Sequence, residues 1–233
     1  MKKVYSDRIV NIDENLFDSK FLFEINNGLN MQEKSDVEVI FLSDLLETRK
    51  NKDILKEVDK KPAMYSNVYS PKDELEIFEE IYLGAIKNNK KVHIVWITLK
   101  EEVLILEEYY EKLGFMREDI NCFEPDFSNV LVSASVNIEN IMWKWSDYKR
   151  MRNKIFFNPP IRESGQVKAL FKGINRGVIA WINIWEFNQE KEDFLTRCIL
   201  EENILPITLS KVLNYNLENA GLNFNKKELI VKY

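Results

Sequence analysis

Hydrophobic and polar positions along the chain fall into two alternating periods. VEVIFL (37–42), the VHIVWI run within Lys91 to Thr98, and NVLVSASV (129–136) are short apolar runs of strand type. Between them, apolar residues advance by three and four, the spacing that gathers side chains on one face of a helix. Leu75, Phe78, Tyr82 and Ala85 do so after Ser70-Pro71, a serine N-cap followed by proline at the first helical position. Val103, Leu106, Tyr110 and Leu113 repeat the pattern, with Thr98 and Glu101 spaced as a capping box and Gly114 as the left-handed stop. A charged helical segment from Ser43 to about Asp59 and a loop over 61–69 complete this stretch.

The first thirty residues predict a strand at 8–12 and an amphipathic segment at 16–25. In the second half, Ile138, Ile141, Met142, Trp145 and Tyr148 trace one helical stripe. A short strand and proline turn cover 154–165, a short basic helix 166–173, and GVIAWINIWEF (177–187) reads as a central strand buried on both faces. Helices at 190–202 and 209–220 and a strand at 228–231 follow, in a winged-helix-like order whose surplus of acids argues against groove binding by that element.

The fold class expected is therefore α/β, an N-terminal layer of alternating strands and helices with a mixed α/β C-terminal half. The composition changes near 126–137, which divides the chain into 1–130 and 131–233, with a single domain as the alternative.

Composition narrows the chemistry. The 233 residues are 45% apolar, enough for a folded core. No apolar run reaches membrane-spanning length and the opening MKKVYSDRIVNIDENLF lacks a signal-peptide core, so the expectation is a soluble cytoplasmic protein with no membrane partner. Cys122 and Cys198 stand far apart and outside any CxxC, pointing to free thiols. The seven glycines form neither GxGxxG nor GxxxxGK[ST]. His93, the single histidine, lies inside an apolar strand and reads as a core residue. No metal or cofactor is expected.

Charge changes the picture most. From Ile141 to Arg176 nine cations face only Asp147 and Glu163, a local charge of +7 in a chain whose net charge is −5. Aromatic residues interleave with these cations. If the stripe from Ile138 is one helix, Trp143 lies off its buried side and shares a side with Arg150 two turns later. Trp143, Lys144, Lys149, Arg150, Arg152, Lys154 and Arg162 are accordingly the candidate ligand-binding residues, the cations neutralising phosphates while an aromatic face stacks. Nucleic acid, a nucleotide-bearing ligand or another polyanion is the expected partner. The alternatives are a protein-interaction module, with the basic island meeting an acidic partner or a second copy, and surface cations that merely pair with surrounding acids.

YEKLGF (110–115), preceded by a helix, the strand VHIVWI and a second helix, resembles the GNAT superfamily of acyl-CoA-dependent N-acyltransferases over about 68–119. The resemblance implies an acyltransferase-like enzyme with Tyr110 as the general acid that protonates the departing CoA thiolate. YSPKDEL (69–75) stands where that family carries its glycine-containing pyrophosphate loop.

Overall fold

The computed structural model describes residues 37–118, 121–123, 125, 130–183, 190, 191, 193 and 194. The expected elements at 8–12, 16–25, 209–220 and 228–231 lie outside these residues, as does Cys198, and most of 190–202 does too.

The sheet is parallel. β1 (Val37–Phe41), β2 (Lys91–Val95), β5 (Val132–Asn137) and β6 (Trp181–Asn183) lie side by side in that order. Val39 pairs with His93, His93 with Ser133, and Asn137 with Asn183. Strands that are successive in the chain are thus neighbours in the sheet, without the reversal of order that marks a doubly wound fold. Between β2 and β5 the chain makes a small antiparallel pair, β3 (Met116–Arg117) with β4 (Cys122–Phe123). The sheet runs across residue 130, and one hydrophobic core draws on both sides of it.

Helices close one face. After β1 come α1 (Leu42–Thr48), α2 (Lys52–Glu57), a 3₁₀ turn at Pro62–Asn67 and the long α3 (Pro71–Asn88). After β2 comes α4 (Lys100–Lys112), and after the loop that follows β5 comes α7 (Ser164–Asn175). Because side chains alternate along a strand, Val92, Ile94, Val132, Ala134, Val136 and Ile182 all point to this face. There they pack with Phe78 of α3, Leu106 and Tyr110 of α4, and Leu170 and Ile174 of α7. Gly173 sets the approach of α7, since a Cβ there would stand 2.9 Å from Val103 Cγ1.

The opposite face is also buried but partly polar. Val39, Phe41, Val95 and Trp96 form a cluster in which the Phe41 and Trp96 rings meet edge to face at 5.6 Å. Beside them His93 lies between two serines of β5, with Nδ1 2.8 Å from Ser133 Oγ and Nε2 3.0 Å from Ser135 Oγ. Burial lowers its pKa to about 3, so the ring is neutral. His93 is a satisfied interior residue, as its apolar surroundings in the sequence suggest.

Ser70 caps α3 by accepting from the Lys72 amide, as expected. Gly114, with φ 76°, stops the chain after α4. The start of α4 is displaced by one residue from the expected box. Glu102, not Glu101, reaches back, and its Oε2 accepts from Thr98 N at 2.9 Å and Leu99 N at 2.8 Å. Thr98 does not cap because its hydroxyl donates to Glu74 Oε1.

The expected helix through the 138–148 stripe is two pieces. α5 (Ile138–Met142) ends at Trp143, which is extended (φ −91°, ψ 146°), as is Lys144. A 3₁₀ turn at Trp145–Asp147, α6 (Tyr148–Met151) and a 3₁₀ turn at Arg152–Ile155 follow. Asp147 makes this break stable, its Oδ2 accepting from the Lys144 amide at 3.0 Å.

Candidate functional site

In a parallel sheet with helices on its face, the loops that leave the carboxyl ends of the strands gather on one edge. Here these are 42–70 after β1, 96–99 after β2 and 138–163 after β5. They are tied to one another by side chains.

Arg162 is the chief tie. It is buried, and its Nη1 donates to the carbonyls of Ser66 at 2.6 Å and Tyr69 at 2.9 Å. Its Nε donates to Thr98 Oγ1 at 3.2 Å, and its Nη2 is ion-paired with Glu74 Oε2. One guanidinium thus joins all three loops through its forked donors. Glu102 stands beside this pair with Oε1 buried and without a hydrogen-bond partner among the described residues. Desolvation, then the Glu74 charge, raises its pKa well above the usual carboxylate value.

The 138–163 loop is fastened further. Asn158 Nδ2 donates to the Ser43 carbonyl at 2.8 Å, just beyond β1, and Asn140 Nδ2 donates to the carbonyls of Pro159 and Pro160. Tyr148 OH donates to Ile161 O at 3.2 Å and accepts from Ile161 N at 2.8 Å. Tyr65 of the first loop stacks on Phe156 with centroids 4.3 Å apart and donates to its carbonyl at 3.1 Å.

On this anchored loop the candidate binding residues separate into two groups. Lys144, Lys149, Arg150, Arg152 and Lys154 are exposed, while Tyr148 and Ile155 between them are buried. Inward aromatic and aliphatic side chains therefore fix the backbone and leave the cations outside. Arg150 pairs with Asp147 Oδ1 at 3.2 Å. Lys144, Lys149, Arg152 and Lys154 have no ion pair among the described residues.

Arg162 and Trp143 do not belong to that surface. Arg162 is committed to the interior by its pair with Glu74. Trp143 is half-buried against the main core, and the break in the chain at 143–144 removes the helical spacing that would have set it beside Arg150. The exposed aromatic is Trp145 instead, whose Nε1–H donates to Ser66 Oγ at 3.1 Å. Periodicity assigned Trp145 to the core stripe, and the hydrogen bond to a residue 79 positions away left no sign in the sequence.

Tyr110 is in the interior, fully buried, its hydroxyl donating to Val132 O at 3.1 Å. Burial raises its pKa. It braces α4 against the start of β5. Among the described residues no group of three or more His, Cys, Asp and Glu is placed to hold a metal ion. No described helix is long and apolar enough to cross a membrane.

No family model matches the sequence, and no curated protein matches it. Solved structures do. The L-hydantoinase (dihydropyrimidinase) of Arthrobacter aurescens superposes with a TM-score of 0.54 at 13% identity, over 91% of this chain and 50% of that one. A D-hydantoinase superposes with a TM-score of 0.55 at 13% identity, over 88% of this chain and 47% of that one. The chain is an α/β protein whose parallel sheet and helices resemble part of the hydantoinase barrel, and it spans about half the length of those structures. At this identity the likeness is one of fold. It overturns the resemblance to the GNAT superfamily, because the likeness covers most of the chain rather than 68–119 alone. Strand, helix, strand and a glycine-stopped helix are what any parallel α/β layer requires, so the segment carried packing information.

Proposed function

We propose that this protein binds an anionic polymer through the exposed cations of 144–154, nucleic acid being the polymer whose repeating phosphates suit that row. The observation that supports this reading is the set Lys144, Lys149, Arg152 and Lys154, exposed together on an eleven-residue stretch and without a counter-ion among the described residues. Surface cations that serve only solubility are commonly interspersed with acids. Here the one acid in the stretch, Asp147, serves the turn and Arg150. The stretch also sits on a loop at the carboxyl edge of a parallel sheet, where a rigid scaffold presents loops to ligands. The net charge of −5 disfavours indiscriminate coating of nucleic acid and keeps binding local to this loop.

Titration of a fluorescent single-stranded oligonucleotide at several salt concentrations tests the proposal. Four cations meeting phosphates give a slope of log affinity on log salt of roughly −3. Reversal of two of them, Lys149→Glu with Arg152→Glu, weakens binding severalfold and flattens that slope. Absence of binding at low salt, or an affinity indifferent to the reversal, would overturn it.

A further inference from the structure

Resting on the polyanion reading, we infer that the ligand of this loop is single-stranded nucleic acid and that Trp145 is the residue that recognises it, by stacking on an unpaired base. Trp145 is 40% exposed, a large share for an indole when most of the described aromatic residues are buried. Its polar edge is already engaged, since Nε1–H donates to Ser66 Oγ, and Ser66 in turn is held by donation to the Ala63 carbonyl at 3.2 Å. What the ring presents to solvent is therefore carbon, with its orientation set by the 3₁₀ turn at Pro62–Asn67. A ring fixed in this way loses little freedom when a flat ligand lies against it.

Its neighbours supply the rest of the recognition. Lys144 precedes Trp145 directly, and Lys149, Arg152 and Lys154 follow within nine residues, so exposed cations flank the ring on both sides along the chain. Arg152 holds φ 50°, ψ −130°, a backbone conformation that favours glycine. A bulky cation kept there is the kind of strain that collects at ligand-contacting turns. A π-face beside a basic track is the arrangement that binds single strands, because every unpaired base offers a face and a duplex hides its bases inside the stack. Inorganic polyphosphate has the charge and lacks the base.

Those differences define the experiment. Affinities of single-stranded oligothymidylate, a duplex of equal length and inorganic polyphosphate are measured for the unaltered chain, for Trp145→Ala and for Trp145→Phe, with thermal melting to establish that each variant is folded. The expected result is a preference of the unaltered chain for the single strand. Trp145→Ala loses roughly tenfold or more for the single strand and nothing for polyphosphate, and Trp145→Phe retains most of the affinity. The inference is overturned if Trp145→Ala leaves the single strand unaffected, if it weakens both single strand and polyphosphate alike, or if the duplex binds as well as the single strand. In each of these cases the polyanion reading stands. If the unaltered chain binds none of the three probes at low salt, both are overturned.

Discussion

Arg162 and Glu74 form an ion pair withdrawn from solvent at the carboxyl edge of the sheet, joining residues 88 positions apart. Three further guanidinium hydrogens go to Ser66 O, Tyr69 O and Thr98 Oγ1, so neither charge is left without partners. Removing one member of such a pair strands the other in a medium of low polarity. Arg162→Met is expected to destabilise the fold by about 3–5 kcal/mol, measured by urea unfolding. Arg162→Met combined with Glu74→Gln should recover a substantial part of that loss, because no buried charge then remains uncompensated. Equal instability of the single and double variants would show that the hydrogen bonds to the loops, rather than the charge, dominate.

Glu102 gives stability an alkaline slope. Its folded pKa is raised above the usual value of 4.5 by burial and by Glu74. An acid raised in this way favours the folded state fully below its unfolded pKa, and that contribution is lost as pH rises through the folded value. Glu102→Gln keeps an acceptor for the Thr98 and Leu99 amides without the ionisation. The variant should therefore gain on the parent as pH is raised from 4.5, seen in unfolding curves collected across that range.

His93 gives a slope of the opposite sign. Its folded pKa is lowered to about 3 from an ordinary 6.5, so between these values the unfolded chain binds the proton that the folded chain refuses. Stability should fall as pH drops below 6.5, by at most about 1.4 kcal/mol per pH unit from this residue. A chain carrying His93→Gln should lose that part of the acid slope. An unchanged slope would mean that the ring takes up its proton without leaving Ser133 and Ser135.

Of the described glycines, Gly177 is the least open to substitution. It holds φ 74°, and a Cβ there would stand 2.3 Å from the Phe123 carbonyl oxygen. Gly177→Ala combines the left-handed cost with displacement of β4, and a loss of at least about 2 kcal/mol is expected. Gly84, with nothing within 4 Å of a Cβ, lies inside α3, where Gly84→Ala should stabilise by about 0.5–1 kcal/mol. Melting temperatures of the two variants should thus move in opposite directions.

Much of the architecture is local and was legible for that reason. The strands at 37–41 and 91–95 and the helices at 71–88 and 100–112 follow from apolar period, caps and stops within a few residues of each position. The α/β class follows from their alternation. The site was legible only as composition. A surplus of cations in 141–176 can be counted, but which of them are outside depends on where distant partners stand. Arg162 has the same charge as Arg152. One is buried because Glu74 and two carbonyls of the 42–70 loop await it, and the other is exposed on a turn.

Trp143 and Trp145 show the same division. Helical spacing placed the first outside and the second in the core, and the break after α5 exchanged them. That break depends on Asp147 capping the new turn and on Ser66 receiving the indole N–H. The sequence by itself determined the alternating strands and helices, the charge asymmetry and the segment that carries it, because these rest on neighbours along the chain. Only the tertiary structure decided the order of the strands, the commitment of Arg162 to the interior and the exposure of Trp145. Each of these rests on pairings between residues far apart in sequence, whose energy exists only once the loops have been brought to one edge of the sheet.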